Sequence, residues 1–193
     1  MKIKTCFFSV WLGATVFSFQ SDSCRSAQAD APGKATTGDT PAPTTVVRDR
    51  INGLERTTGK VKVVNAHLLV FADGTEVDLN GGMDAPELDQ KGRIDGAFYP
   101  CGREAAEFLR KMIGDQNVSC FVFGKRDNRV RGDCFVGERH LELEMVRNGW
   151  AVAHHEGMEA WQAIARENKR GLWRGEFVLP ERWRKGERLP GEP

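Results

Sequence analysis

The sequence lacks an excess of charge of either sign. Its formal net charge is +1, and Lys2, Lys4 and Arg25 against Asp22 give the first 29 residues +2, leaving the remainder at −1. Non-specific nucleic-acid binding draws on a basic footprint, so bulk charge supplies none and any such role would need a local patch. Also missing is an apolar run of about 20 residues, the length that spans a bilayer core. The longest such run, residues 6–19, falls short of it. No internal repeat is visible, which sets aside repeat architectures. What is present is a normal soluble mix, 40% apolar and 28% charged, able to build a core. The 193 residues leave room for one ordinary domain and extra segments.

The N-terminus reads as a secretion signal. Lys2 and Lys4 precede the apolar run, and Ala27-Gln28-Ala29 supplies the small-x-small pattern of a cleavage site, so Asp30 is the expected mature start. An uncleaved anchor is the competing reading. Cys24 follows Ser21-Asp22-Ser23, which does not suit lipid modification. The mature protein is expected in the periplasm or outside the cell, with no stable membrane insertion. Cleavage would leave Cys101, Cys120 and Cys134 in a compartment that permits a disulfide. Cys120 and Cys134 are equidistant from Asp127, the middle of an expected hairpin turn, so they face each other across two strands. Either they form a bridge or they are two buried thiols.

Residues 30–45 are Ala, Pro, Thr and Gly with almost no large apolar side chain, and cannot offset their ordering entropy by burial. Signals stay weak to residue 59, so 30–59 is read as a flexible linker, 60–185 as the domain and 186–193 as a tail. Residues 61–71 are rich in Val and Leu with no helical period, which predicts strands; Asp73-Gly74 is a hairpin turn. Residues 89–100 read as an exposed loop. Ala105, Phe108, Leu109, Met112 and Ile113 recur at helical spacing before Gly114. Residues 118–123 and 130–136 are β-rich around a polar turn, and 141–148 and 158–168 fit two further helices.

Several strings in this order resemble the staphylococcal nuclease family. They are Ala72-Asp73-Gly74-Thr75, Met83-Asp84-Ala85-Pro86-Glu87, Cys101-Gly102-Arg103-Glu104-Ala105-Ala106, Met145-Val146-Arg147-Asn148-Gly149-Trp150-Ala151 and Gly171-Leu172-Trp173. The resemblance covers about residues 61–183 and implies an α+β fold, a five-stranded OB-like Greek-key barrel with three helices. The export signal and mature cysteines resemble the secreted Gram-negative branch, some of whose members bear an exopolysaccharide (succinoglycan) biosynthesis label.

Active members of that family hydrolyse phosphodiesters with calcium, a glutamate that acts on water, and two arginines on the phosphate. Hard oxygen ligands suit calcium, and guanidiniums bind the charge that builds on the phosphoryl group. The resemblance makes Asp84 a metal ligand and Glu87 the catalytic glutamate. Elsewhere the site departs from the pattern. His67 stands where a second calcium carboxylate is expected, and imidazole suits zinc, copper or nickel better. Asp78 stands in the place of the first phosphate-binding arginine; an extra glycine leaves Leu79 as the other choice, and neither is cationic. Arg129 matches the second arginine, with Arg131 as the alternative. The tyrosine that stacks on a base is missing, since the one tyrosine is Tyr99.

Loss of one metal carboxylate and one guanidinium removes several kcal/mol of transition-state stabilisation, roughly hundreds-fold in rate or more. The expectation is an impaired enzyme, a monomer kept as a binding or accessory module for a polysaccharide or a nucleic acid. The competing expectations are a nuclease using a divalent metal on His67, Asp84 and Glu87, with His154 or His155 if the fold brings them there, and a non-catalytic nucleic-acid binder. The last would use Lys125, Arg126, Arg129 and Arg131 on the hairpin and Arg166, Lys169, Arg170 and Arg174 along the third helix. Trp150, Trp161, Trp173 and Trp183 either stack on sugars or seal a small core.

Overall fold

The first surprise lies in the segment expected to be linker. Val47–Ile51 (β1) and Leu54–Gly59 (β2) pair antiparallel, from Val47 opposite Thr58 to Ile51 opposite Leu54. Asn52 and Gly53 both have positive φ, 50° and 83°, the backbone of the two-residue turn that Asn-Gly favours. Asn-Gly was the available signal, and the charged residues around it hid it. The structure, a computed structural model, describes residues 45–79, 81–126 and 129–192, all within the unit Pro41–Pro193. The expected signal sequence, its cleavage site and residues 30–44 lie outside the described residues.

The strands continue as β3 (Val61–Val63), β4 (Leu68–Phe71) and β5 (Glu76–Asp78), with the Asp73-Gly74 turn between the last two. β6 (Met83–Asp84) follows. Residues expected as a loop then form a hairpin, β7 (Gly92–Ile94) and β8 (Ala97–Tyr99), about Asp95 and Gly96, which again both have positive φ. Helix α1 (Cys101–Ile113) buries Ala105, Ala106, Leu109, Met112 and Ile113 on one face and stops at Gly114, at φ 54°. A long hairpin, β9 (Val118–Arg126) and β10 (Arg129–Val136), carries the two cysteines directly opposite each other, and they are joined. The remaining elements are β11 (Arg139–His140), α2 (Leu141–Arg147), β12 (Val152–Ala153), α3 (Glu159–Glu167), β13 (Glu176–Phe177) and α4 (Pro180–Arg184).

The main sheet runs β1-β2-β9-β10-β5-β4-β3, with β11 added to β10. Among the described residues only β10 and β5 pair in parallel, which sets Arg131 opposite Asp78. The ladder shifts register between Arg131 and Gly132, and a side chain at Gly132 would press on the Phe121 carbonyl, so the bulge needs glycine there. Leu69, Phe71, Val77, Leu79, Leu109, Leu141 and Met145 are fully buried in one core. Each such side chain contributes about 1.5–3 kcal/mol relative to exposure. The α+β, OB-like expectation is met, with α4 as a fourth helix and more short strands than expected. The expected tail is not loose: the Arg188 guanidinium lies 3.8 Å from the Trp183 ring centre, and Arg93 donates to the Pro190 carbonyl at 3.1 Å.

Candidate functional site

Two of the quoted strings meet where their glycines allow it. Gly149 and Gly171 both have positive φ and touch through their backbones, and the Leu172 amide donates to the Gly149 carbonyl at 2.8 Å. A side chain at either would overlap the other's chain segment, so these motifs are a packing joint between α2 and the residues after α3. Gly102 plays the same part nearer the site. A Cβ there would overlap the Glu87 carbonyl, and the Gly102 amide donates to Gln90, whose own amide donates to Glu87. The start of α1 thus clamps the loop that carries Glu87. Gln90 is fully buried and holds the Val178 carbonyl, which ties the approach to α4 to the same loop.

The site residues converge around His67. Its Nδ1 lies 3.5 Å from Asp78 Oδ1 and its Nε2 lies 3.5 Å from Glu87 Oε2. Asn65 sits beside it, accepting from the His67 amide at 3.0 Å and placing its amide nitrogen 3.1 Å from Nε2. Burial works against a charged ring, but the carboxylates Asp78 and Glu87 outweigh it and raise the His67 pKa to about 9. Glu87 is correspondingly lowered, first by the hydrogen bond from His67. Asp78 therefore faces an imidazolium and is one half of an ion pair.

Sequence reasoning missed the residue that completes the cluster. Arg184, on the unforeseen α4, donates to Asp84 Oδ2 at 2.9 Å and to Glu87 Oε1 at 3.1 Å. Burial opposes its charge, and Asp84 and Glu87 more than restore it. No local pattern marks Arg184, which is 100 positions from Asp84. His154 comes within 3.9 Å of Asp84 Oδ2; His155 instead accepts from the Gly157 amide through its own side chain. Arg129, expected on the phosphate, is bound to Glu76 at 2.6 Å on the surface. Arg131 holds the register opposite Asp78 and lies 6.0 Å from the Phe123 ring centre.

This set does not fit calcium. Six to eight hard oxygens are wanted, and the structure offers Asp84 and Glu87 already held by Arg184 and His67, two cations in place of one ion. Asp84 Oδ1 is a buried oxygen with no hydrogen-bond partner, but one oxygen is not a cage. Zinc would have to displace the Arg184 guanidinium from both Asp84 and Glu87.

A second cluster lies elsewhere on the barrel. His140 Nε2 is 3.0 Å from Glu142 Oε2 and 3.9 Å from Asp133 Oδ1, and the ring stacks on Phe135 at 4.7 Å. The basic rows are largely engaged, Arg174 with Glu104 and Arg166 over Trp173. The four tryptophans are half-buried, each with a guanidinium 3.8–5.2 Å from its ring centre. They neither seal the core fully nor present both faces to a sugar. An open groove of about 740 Å³ runs over Leu88, Arg103, Phe108, Arg110 and Trp150.

A mixed sheet of this order with helices against it, and an acidic loop clamped beside it, defines a nuclease-like fold. The chain belongs to the staphylococcal nuclease homologue family, whose model matches residues 78–175. It is 30% identical over 114 residues to "Probable staphylococcal-like nuclease CAN3" of Oryza sativa subsp. japonica, covering 55% of this chain and 28% of that protein. It is 32% identical over 124 residues to "Probable endonuclease LCL3" of Yarrowia lipolytica, covering 55% of this chain and 54% of the relative. "Ribonuclease TUDOR 1" of Arabidopsis thaliana is 28% identical over 110 residues, 55% of this chain and 11% of its own length. The aligned part thus spans about half or less of these relatives. Among the described residues, no helix is long and apolar enough to cross a membrane.

Proposed function

We propose that this is an exported member of the family whose catalytic site is impaired, and that it serves as a binding or accessory module for an extended polymer of the cell envelope, exopolysaccharide included. One observation carries the reading: Asp84 and Glu87, the carboxylates that should hold metal and act on water, are occupied by Arg184 and His67. Breaking three ion pairs, one of them on a carboxylate with 4% exposure, costs several kcal/mol before any ion binds. Export is supported by the N-terminal charge and apolar pattern and by the Cys120–Cys134 bridge, which suits an oxidising compartment. The groove over Phe108 and Trp150, next to the clamped loop, supports a polymer-binding role.

The competing reading is a metal-dependent phosphodiesterase acting on DNA or RNA, favoured by the relatives' printed names and by the partnerless Asp84 Oδ1. The test is cleavage of single- and double-stranded DNA and RNA in metal-free buffer and with calcium, magnesium, manganese or zinc, with Glu87→Gln as control. The proposal expects no Glu87-dependent cleavage under any metal, together with retention on an envelope polysaccharide. Metal-dependent cleavage abolished by Glu87→Gln would make the protein a nuclease.

A further inference from the structure

We infer that Asp133, His140 and Glu142 form a binding site for one divalent transition-metal ion of the zinc type, separate from the His67 cluster. The three side chains come from β10, β11 and α2, and one potential ligand atom from each lies within 4.8 Å of the other two. Oxygens and nitrogens about 2 Å from a tetrahedral zinc lie roughly 3–3.5 Å apart. The His140–Glu142 distance of 3.0 Å is already there, and the 3.9 Å from His140 to Asp133 requires a small rotation of a half-exposed carboxylate.

Two further observations point to a ligand rather than to a surface ion pair. The Glu142 side chain is 1% exposed; besides the His140 ring and its own backbone amide, its two oxygens share the Cys134 amide, at 3.2 and 3.3 Å. A buried carboxylate depends on the few partners within reach, because water does not supply the rest. His140 Nε2 is likewise buried, 3.0 Å from Glu142 Oε2 and 3.9 Å from Asp133 Oδ1. Both groups aim at the same point, and Asp133 closes it from the solvent side with 48% of its side chain exposed.

The surroundings supply the support a metal site needs. Cys134 is covalently tied to Cys120, so the amide that orients Glu142 is held in place, and the His140 ring is fixed by stacking on Phe135. One imidazole and two carboxylates suit zinc and its neighbours better than calcium or magnesium. With three protein ligands the fourth position falls to water. The ion would join the end of the β9–β10 hairpin to α2.

The test uses the full chain stripped of metal with chelator and titrated with zinc ions at about pH 8, where the imidazole gives up its proton to the metal more readily. Readouts are stoichiometry by competition with a chromophoric chelator and thermal unfolding. One equivalent should bind, with a raised melting temperature because only the folded chain gathers the ligands. His140→Gln should abolish this equivalent. Asp133→Asn, a change at a half-exposed position that folding tolerates, should weaken it at least tenfold, while Glu87→Gln should leave it unchanged. Absence of binding would overturn the inference. So would zinc binding that survives both His140→Gln and Asp133→Asn, or that is lost in Glu87→Gln.

Discussion

The barrel holds two clusters built to one recipe, a histidine between two carboxylates, and they differ in how the charge is closed. At His67 the ring bridges Asp78 and Glu87, and the third carboxylate, Asp84, is met by Arg184 from α4. At His140 the carboxylates are Asp133 and Glu142, and the ring is the cationic side chain recorded within ion-pair distance of either. The first cluster lies where the family resemblance implies the catalytic site and is a network of internal ion pairs. The second lies where the family resemblance assigned nothing, and its carboxylates meet a ring and no recorded guanidinium among the described residues. Position in the fold therefore does not decide which cluster can take an ion; the supply of local cations does.

The comparison can be broken most forcefully through Gly102. Gly102→Ala sets a methyl group against the Glu87 carbonyl, and relief requires the loop to leave α1. It should cost about 3 kcal/mol or more by chemical denaturation, and zinc binding at His140 should persist wherever the chain still folds. Next is Arg184→Met, which leaves the buried Asp84 carboxylate without its guanidinium. The expected loss is about 2–3 kcal/mol, below the full cost of splitting a buried pair because Arg184 is 37% exposed. Calcium should then raise the melting temperature of this variant and not of the parent. No calcium effect on the variant would mean that Arg184 is not what excludes the ion.

A third test uses pH. His67 has a folded pKa of about 9 against 6.5 for the unfolded chain, so its pairing stabilises the fold fully below about pH 6.5 and fades as pH rises through 9. Between those limits the parent should lose of order 2 kcal/mol more than His67→Asn. Equal pH profiles would show that the ring is neutral in the fold. His140 titrates in the same direction under Asp133 and Glu142, which is why the comparison is made against the variant and not against a constant. The smallest effect is expected at Arg129→Ala, which removes an ion pair exposed on both sides, 45% and 40%, and should change stability by about 0.5 kcal/mol or less.

Much of this was legible beforehand. Helix α1 declared itself through Ala105, Leu109 and Met112, and the disulfide through the symmetry of Cys120 and Cys134 about a turn. His67, Asp78, Asp84 and Glu87, all singled out in the sequence, do come together in one cluster. The hairpins β1–β2 and β7–β8 escape a sequence reading because the first is mostly polar and the second has strands of three residues, leaving Asn52-Gly53 and Asp95-Gly96 to announce them. Arg129 matches the family's second arginine if Cys134 keeps the family register, with Arg131 as the alternative, and the parallel pairing of β10 with β5 sets Arg131 opposite Asp78.

The sequence by itself determined the strands of the main hairpins, the main helices and the facing cysteines, because each is written in local spacing and in residue type. Only the tertiary structure decided that Arg184 would neutralise Asp84 and Glu87, and that Asp133, His140 and Glu142 would converge. Ion pairing between distant residues depends on where the chain returns after folding, and a charge carries no periodicity from which that return can be read.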